Sequence, residues 1–191
     1  MRVCRFLFLL TLLVTLATAV GSASSIQYIF TGTVSGIVGT TTFSDASLTL
    51  TAVADTSAIT GSYVVAPTSA TIVISGVGSM TVTGTDYVFA NNAANKVGYG
   101  VQGLIHCCDI IQVVDPAFGA YDLSTAIGPI GNPSNLSITD WVDAPTSMGL
   151  MTLRTYTNST FQAVTTVPEP ASLLLLGVGL SGIAVKLRRR R

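Results

Sequence analysis

The pattern that most limits the fold is the alternation of apolar and hydroxyl side chains in the middle of the chain. In the segment 46–53, every second residue is apolar, and most of the residues between them are serine or threonine. Successive side chains of a β-strand point to opposite faces, so this pattern predicts a strand with one buried face and one solvated face. No window between residues 24 and 167 shows a sustained apolar period of 3.6 residues. The sequence therefore predicts an all-β body.

Further strands are predicted from short apolar or β-branched runs that are separated by turn-forming residues. We expect turns at Gly36, Gly39, Gly61, Pro67, Gly84 and the asparagine-rich segment 91–95. Short strands without crossover helices predict antiparallel pairing, in a sandwich or a jelly-roll-like barrel. The segment 115–145 alternates less clearly and contains four prolines, so long loops or a short helical turn are expected there. The predicted strands are 27–34, 46–53, 59–65, 71–77, 80–83, 87–90, 97–101, 105–114, 148–157 and 161–164.

The N-terminal segment has the pattern of a secretory signal peptide. Arg2 and Arg5 precede an apolar run over residues 6–16, and small residues follow it. The run is too short to span a membrane, so a cleavable signal-peptide helix over residues 1–23 is predicted. Cleavage after Ala23 or after Ala19 satisfies the rule for small residues, and we prefer Ala23. Signal peptidase is therefore an expected partner, and the body is expected outside the cytoplasmic membrane.

The C-terminal segment contains a second apolar run, over residues 171–185. As a helix it would be about 22 Å long, which is short for a hydrocarbon core of about 30 Å. Lys186 can extend its ammonium group to the interface and Leu187 adds length, so a transmembrane helix over residues 171–187 is predicted. Together with Lys186, the terminal cations Arg188, Arg189, Arg190 and Arg191 are expected to hold this end in the cytoplasm.

This tail resembles a PEP-CTERM sorting signal. The resemblance rests on Pro168, Glu169 and Pro170, on the apolar span that follows them, and on the terminal arginines. It covers residues 167–191, with Lys186 inside the end of the usual apolar run as a small departure. It implies a bacterial, exported protein whose tail is processed near Pro-Glu-Pro by a membrane-embedded exosortase. It implies no activity for the body.

Removal of both ends leaves a β-rich extracytoplasmic domain over residues 24–166, a size for one domain. Its only cations are Lys96 and Arg154, and with eight aspartates the net charge is −6. Two isolated cations cannot neutralise a row of phosphates, which argues against nucleic-acid binding.

The segment 98–103 fits the dinucleotide pattern G-x-G-x-x-G. That fingerprint needs a helix that opens at its end. No helical period follows here, and the alternation of Gly98, Tyr99 and Gly100 predicts instead a strand with bare positions on one face.

The densest group of potential metal ligands is the segment 106–109, which contains His106, Cys107, Cys108 and Asp109. Adjacent strand residues point to opposite faces, so the two cysteines cannot readily hold one ion together. Two reduced or buried cysteines, a vicinal disulfide in an oxidising compartment, and a metal or redox role all stay open. We predict no metal site and no cofactor.

One pair of carboxylates flanks an aromatic ring. Asp140, Trp141 and Asp143 could form a sugar-stacking platform or a calcium loop, although the full calcium-loop pattern is absent. The alternative is that Trp141 is a loop residue that covers the core. The remaining aspartates show no spacing that singles out a catalytic pair, and the chain has one histidine and no G-x-S-x-G elbow.

The sequence therefore predicts a non-enzymatic exported protein of the cell surface or extracellular matrix, anchored to the membrane by its tail until processing. A structural, adhesive or exopolysaccharide-associated role is expected, for instance in a biofilm. The alternatives are a carbohydrate- or calcium-binding module and, less favoured, a hydrolase that uses an aspartate pair.

Overall fold

The structure is a computed structural model that describes residues 25–61, 63–102, 109–132 and 142–166. Its strands are β1 (Ser25–Val38), β2 (Thr41–Asp55), β3 (Val64–Val65), β4 (Ser69–Ile74), β5 (Gly78–Thr81), β6 (Asp86–Asn91), β7 (Lys96–Val101), β8 (Asp109–Val114), β9 (Ile127–Asn132), β10 (Val142–Thr146) and β11 (Gly149–Thr166). Short 3₁₀ helices span Thr56–Ala58, Asn92–Ala94 and Pro116–Ala120. The prediction of an all-β, antiparallel body is confirmed.

The hairpin of β1 and β2 lies at the centre of the larger sheet. The strand order of this sheet is β10-β11-β1-β2-β4-β5, and β9 pairs with the C-terminal half of β11. In β1, alternate side chains such as Tyr28 and Phe30 are fully buried, and in β2 Leu48 and Leu50 face the same core. Burial of one face by every second residue is what the alternating sequence predicts.

The two edge strands of the larger sheet meet at one end. Val82, directly after β5, forms an antiparallel bridge with Thr146 of β10. The amide of Thr83 donates to the carbonyl of Pro145 at 3.0 Å, and the amide of Ser147 donates to the carbonyl of Thr81 at 2.9 Å. The sheet therefore curls until its first and last strands share backbone hydrogen bonds, as a barrel does.

The smaller sheet has the order β3-β6-β7-β8 and shares one apolar core with the larger sheet. Phe161 of β11 packs where the larger sheet meets the 3₁₀ helix over Pro116–Ala120. Its ring centroid is 4.9 Å from that of Phe30, 5.6 Å from that of Phe118 and 5.9 Å from that of Tyr121. Such tilted and edge-to-face pairs add to the free energy that apolar burial contributes.

Several details differ from the prediction. Gly36 was expected in a turn but lies inside β1, where a Cβ would be 2.2 Å from the carbonyl oxygen of Thr152 on β11, so the close approach of that backbone requires glycine. The segment 115–145 contains the predicted helical turn, but β9 and β10 also begin or end within it. The two strands predicted at the C-terminal end are one strand, β11, in which Asn158 adopts a positive φ of 53° at an irregularity of the pairing.

The signal-peptide helix over residues 1–23 and the transmembrane helix over residues 171–187 lie outside the described residues and stay predictions. In the part of the chain that is described, no helix has the length and apolar character needed to cross a membrane. Residues Ser24–Thr166 form one compact unit.

Candidate functional site

The ends of the described body lie side by side. Ser25, the first residue of β1, is directly opposite Thr166, the last residue of β11, in the antiparallel pairing. Ala23, the predicted signal-peptide boundary, precedes Ser25 by two positions, and Pro168 follows Thr166 by two positions. An extended chain spans at most about 3.3–3.6 Å per residue. Each predicted processing point is therefore separated from the paired ends of β1 and β11 by at most about 7 Å of extended chain.

The outward face of the larger sheet carries hydroxyl groups in register across its strands. We call this surface the hydroxyl face and define it by three rows of directly opposed residues. The first row is Thr160, Thr31, Thr49, Val73 and Ser79; the second is Gln162, Ile29, Thr51, Thr71 and Thr81; the third is Val164, Gln27, Val53 and Ser69.

Two observations place these side chains on one surface. Their sequence neighbours, such as Phe30, Leu50 and Ile72, are fully buried on the opposite face of the same strands. The hydroxyls of Thr31 and Thr160 are 2.6 Å apart across β1 and β11 and share a hydrogen bond. Rows are separated by about 6.8 Å along the strands and members of a row by about 4.8 Å. The hydroxyls of the first two rows thus form a regular array, to which the third row adds Ser69.

The three rows contain no aspartate, glutamate, lysine or arginine. Charged residues of these strands lie toward the ends of the sheet instead. Asp55 is opposite Ser25 at one end, and Asp45 and Arg154 lie in irregular parts of the pairing toward the other. An uncharged patch of this width is unusual, because exposed protein surface is ordinarily interspersed with both signs of charge.

The aspartates of the described body act as local structural groups. Asp55 and Asp115 accept hydrogen bonds, each at 2.8 Å, from the amides of Ser57 and Ala117 at the starts of 3₁₀ helices. The bonds from Ser57 hold the pKa of Asp55 below its ordinary value. Asp122 accepts from both the amide and the hydroxyl of Ser124, and these bonds lower its pKa in the same way. Such caps and turns are the common use of aspartate in a β-protein.

Two further aspartates bind residues of the smaller sheet. Asp109 forms a half-exposed ion pair with Lys96 at 3.4 Å. Asp86 accepts a hydrogen bond of 2.5 Å from the hydroxyl of Tyr99. Partial burial raises the pKa of Asp86, and the hydrogen bond from Tyr99 opposes that rise.

The predicted ligand-contact group is only partly described. Asp143 lies on β10 and accepts a hydrogen bond from the hydroxyl of Thr152 on β11. Asp140 and Trp141 lie outside the described residues, and so do Cys107 and Cys108. Contact of Asp140, Trp141 and Asp143 with a ligand, and the state of the two cysteines, stay predictions. Among described residues, no cluster of three or more His, Cys, Asp or Glu could hold a metal ion.

The glycine motif starts inside strand β7, as the alternation indicated. The Phe89 ring of β6 lies against Gly98, and a Cβ there would be 2.5 Å from Cζ of Phe89 and 2.9 Å from the carbonyl oxygen of Ile111. Val97, Tyr99 and Val101 are fully buried. Gly98 therefore serves packing between neighbouring strands.

Sequence reasoning did not find the hydroxyl face. The alternation of threonines within β2 was visible, but rows of hydroxyls require the pairing partners and the register of five strands. A weak signal was present, because β1, β2, β4, β5 and β11 each place Ser or Thr at alternate positions.

Comparison with known proteins identifies the tail. Residues 166–191 match the family model described as the PEP-CTERM protein-sorting motif. This match confirms the resemblance and includes Pro168, Glu169 and Pro170. Searches of curated proteins and of solved structures found no significant match to the chain. The motif implies an exported protein, transiently held at the membrane, with an exosortase as its processing partner.

Proposed function

We propose, from the premise that this chain carries a PEP-CTERM protein-sorting motif, that its β body is a cargo delivered to the cell surface or extracellular matrix. There it acts as a structural or adhesive component associated with exopolysaccharide. The observation that carries the proposal is the sorting motif itself, joined directly to the end of β11. A body with both predicted processing points at one end of its sheet suits release from the membrane.

The chemistry of the body supports a role without catalysis. Asp55, Asp115 and Asp122 hold turns and caps. Asp86 is hydrogen-bonded to Tyr99, and Asp109 is paired with Lys96. A glycosidase would need two carboxyl groups flanking a substrate cleft. These five carboxyls each serve a different local contact, which favours a structural protein over a hydrolase.

The test is intact mass spectrometry of the protein recovered separately from cells and from culture medium. We expect the form in the medium to begin near Ser24 and to lack Arg188–Arg191. Stable accumulation of the full-length chain in the inner membrane would overturn the proposal. The matched control replaces the motif by Pro168→Ala, Glu169→Ala and Pro170→Ala, which should retain the protein with the cells. Equal release of wild type and this variant would also contradict the proposal.

A further inference from the structure

The hydroxyl face is a rigid and regular surface whose chemistry restricts what can bind it. Its hydroxyls project from five strands held by backbone hydrogen bonds, so their spacing is fixed before any ligand arrives. Thr49, Ser79 and Thr81 are exposed, and Thr31, Thr51 and Thr71 are half-buried. A pre-ordered array reduces the conformational entropy that binding would otherwise cost.

Charge excludes one class of partner. The rows carry no cation, and the body as a whole has eight aspartates against Lys96 and Arg154. An anionic polysaccharide would therefore be repelled by the net charge of the body and would find no cation on the hydroxyl face to offset that repulsion. A neutral ligand meets no such penalty.

The composition of the face also argues against a protein partner. The centres of protein interfaces are enriched in aromatic side chains, methionine and arginine. The three rows contain none of these, and their apolar members, such as Ile29, Val53 and Val73, alternate with hydroxyl or amide groups. Hydroxyl and amide groups donate and accept hydrogen bonds at once, which matches a ligand that is itself covered with hydroxyls.

We propose that the hydroxyl face binds a neutral polysaccharide, whose successive sugars lie along the rows of threonine. The proposal rests on the proposed function, because it names the partner and the surface of the matrix association. Each hydrogen bond to a sugar replaces one to water, so its net contribution to binding is small. Binding of one or two sugars is then weak, and retention depends on many contacts made by one long chain.

The experiment measures co-sedimentation of the processed protein with insoluble polysaccharides. Two neutral β-glucans, microcrystalline cellulose and curdlan, are compared with calcium alginate gel as the anionic arm. We expect the protein to sediment with at least one neutral glucan and to stay in solution with alginate. The proposal would be overturned if the protein sedimented with neither glucan, or with alginate alone.

The variant Thr49→Glu/Thr81→Glu places two carboxylates on the face, and Thr85→Glu is the matched control. Thr85 is exposed, lies in the connection before β6 and belongs to none of the three rows. We expect about a tenfold loss of apparent affinity for the double variant, the equivalent of about 1.4 kcal/mol, and no loss for Thr85→Glu. Circular dichroism melts establish that both variants fold. Equal binding by the folded double variant would refute the assignment of this face.

Two other occupants are distinguished in the same preparations. Sedimentation velocity would reveal a dimer, which the variant Thr49→Glu/Thr81→Glu would dissociate. Intact mass spectrometry would reveal sugars covalently attached to the face. Either result would replace the proposed occupant by a second copy or by a covalent modification. Release and tail removal are read from the same mass spectra. Normal processing without glucan binding would therefore contradict this inference but not the proposed function.

Discussion

Ser25 and Thr166 are directly opposed in the pairing of β1 with β11, so the body begins and ends at neighbouring positions of one sheet. Only Val167 separates the last strand residue from Pro168 of the sorting motif. A peptidase binds its substrate as an extended segment on both sides of the bond it cleaves. The backbone of Thr165 and Thr166, however, is already paired with β1.

A spacer between Thr166 and Val167 is therefore expected to accelerate tail removal. Ten Gly/Ser residues would supply flexible chain without opening β11. Pulse labelling followed by immunoblotting measures the half-life of the unprocessed form. The same spacer placed after Gly76, in the open turn between β4 and β5, is the control and should leave the half-life unchanged. An unchanged half-life for the spacer after Thr166 would show that the end of β11 does not limit processing.

Replacement of Phe161 by alanine should destabilise the body strongly. The Phe161 ring is fully buried and contacts four other aromatic rings, those of Tyr28, Phe30, Phe118 and Tyr121. Truncation of a buried phenylalanine costs about 3–5 kcal/mol of the free energy of unfolding. Urea denaturation followed by circular dichroism measures this loss. Leu150→Ala, at a side chain that is 56% exposed, should change the free energy by less than about 0.5 kcal/mol. Similar losses for both variants would contradict the position of Phe161 in the core.

Replacement of Gly98 by alanine should destabilise the body, whereas the same replacement at Gly61 should not. At Gly98 the added methyl group meets the Phe89 ring and the carbonyl of Ile111, so overpacking should cost about 1–3 kcal/mol. At Gly61 a Cβ has no neighbour within 4 Å, so alanine should be neutral or stabilise the fold by about 0.4–1 kcal/mol through the unfolded chain. Thermal melts of both variants, monitored at one protein concentration, give the comparison. A stable Gly98→Ala protein would be incompatible with the tight packing of β6 against β7.

Alkaline pH should unfold the body and ionise its buried tyrosines together. Burial raises the pKa of Tyr28, Tyr99, Tyr121 and Tyr156 well above the ordinary value of 10.0. A raised folded pKa means that the folded state holds the proton more tightly. The contribution of these tyrosines to the free energy of unfolding is therefore fully present below about pH 10. It is lost as the pH rises toward their pKa values in the folded state. The part of the absorbance change at 295 nm that comes from these four tyrosines should coincide with the loss of the far-UV circular dichroism signal in the same samples. Full ionisation with an unchanged circular dichroism spectrum would contradict the burial of these four hydroxyls.

The strands that could be predicted from the sequence are those whose buried and hydroxyl residues alternate locally. The segment 46–53, for example, lies within β2. Its alternating apolar residues are buried, as the local pattern predicted. β9 and β10 were missed because Pro129 and Pro145 interrupt the alternation, and prolines are tolerated at the less fully paired positions of a sheet. Gly36 was misassigned because a close approach of the Thr152 carbonyl on β11, which no local signal reveals, requires glycine within a strand.

The hydroxyl face was beyond local prediction for a different reason. Thr31 lies beside Thr49 and Thr160 only because β1 pairs with β2 on one side and with β11 on the other. The partner on β11 is 129 residues away in sequence. Register between such distant strands is fixed by burial of their opposite faces and by bulges, such as the irregularity at Asn158.

At high local concentration, exposed strand edges of neighbouring molecules tend to pair. At the end of the larger sheet where Val82 bridges Thr146, the backbone groups of Thr81 and Thr83 are already bonded to Ser147 and Pro145. An incoming strand finds those donors and acceptors occupied. At that end of the sheet, these backbone groups are therefore not available for strand pairing with a neighbouring copy of the molecule.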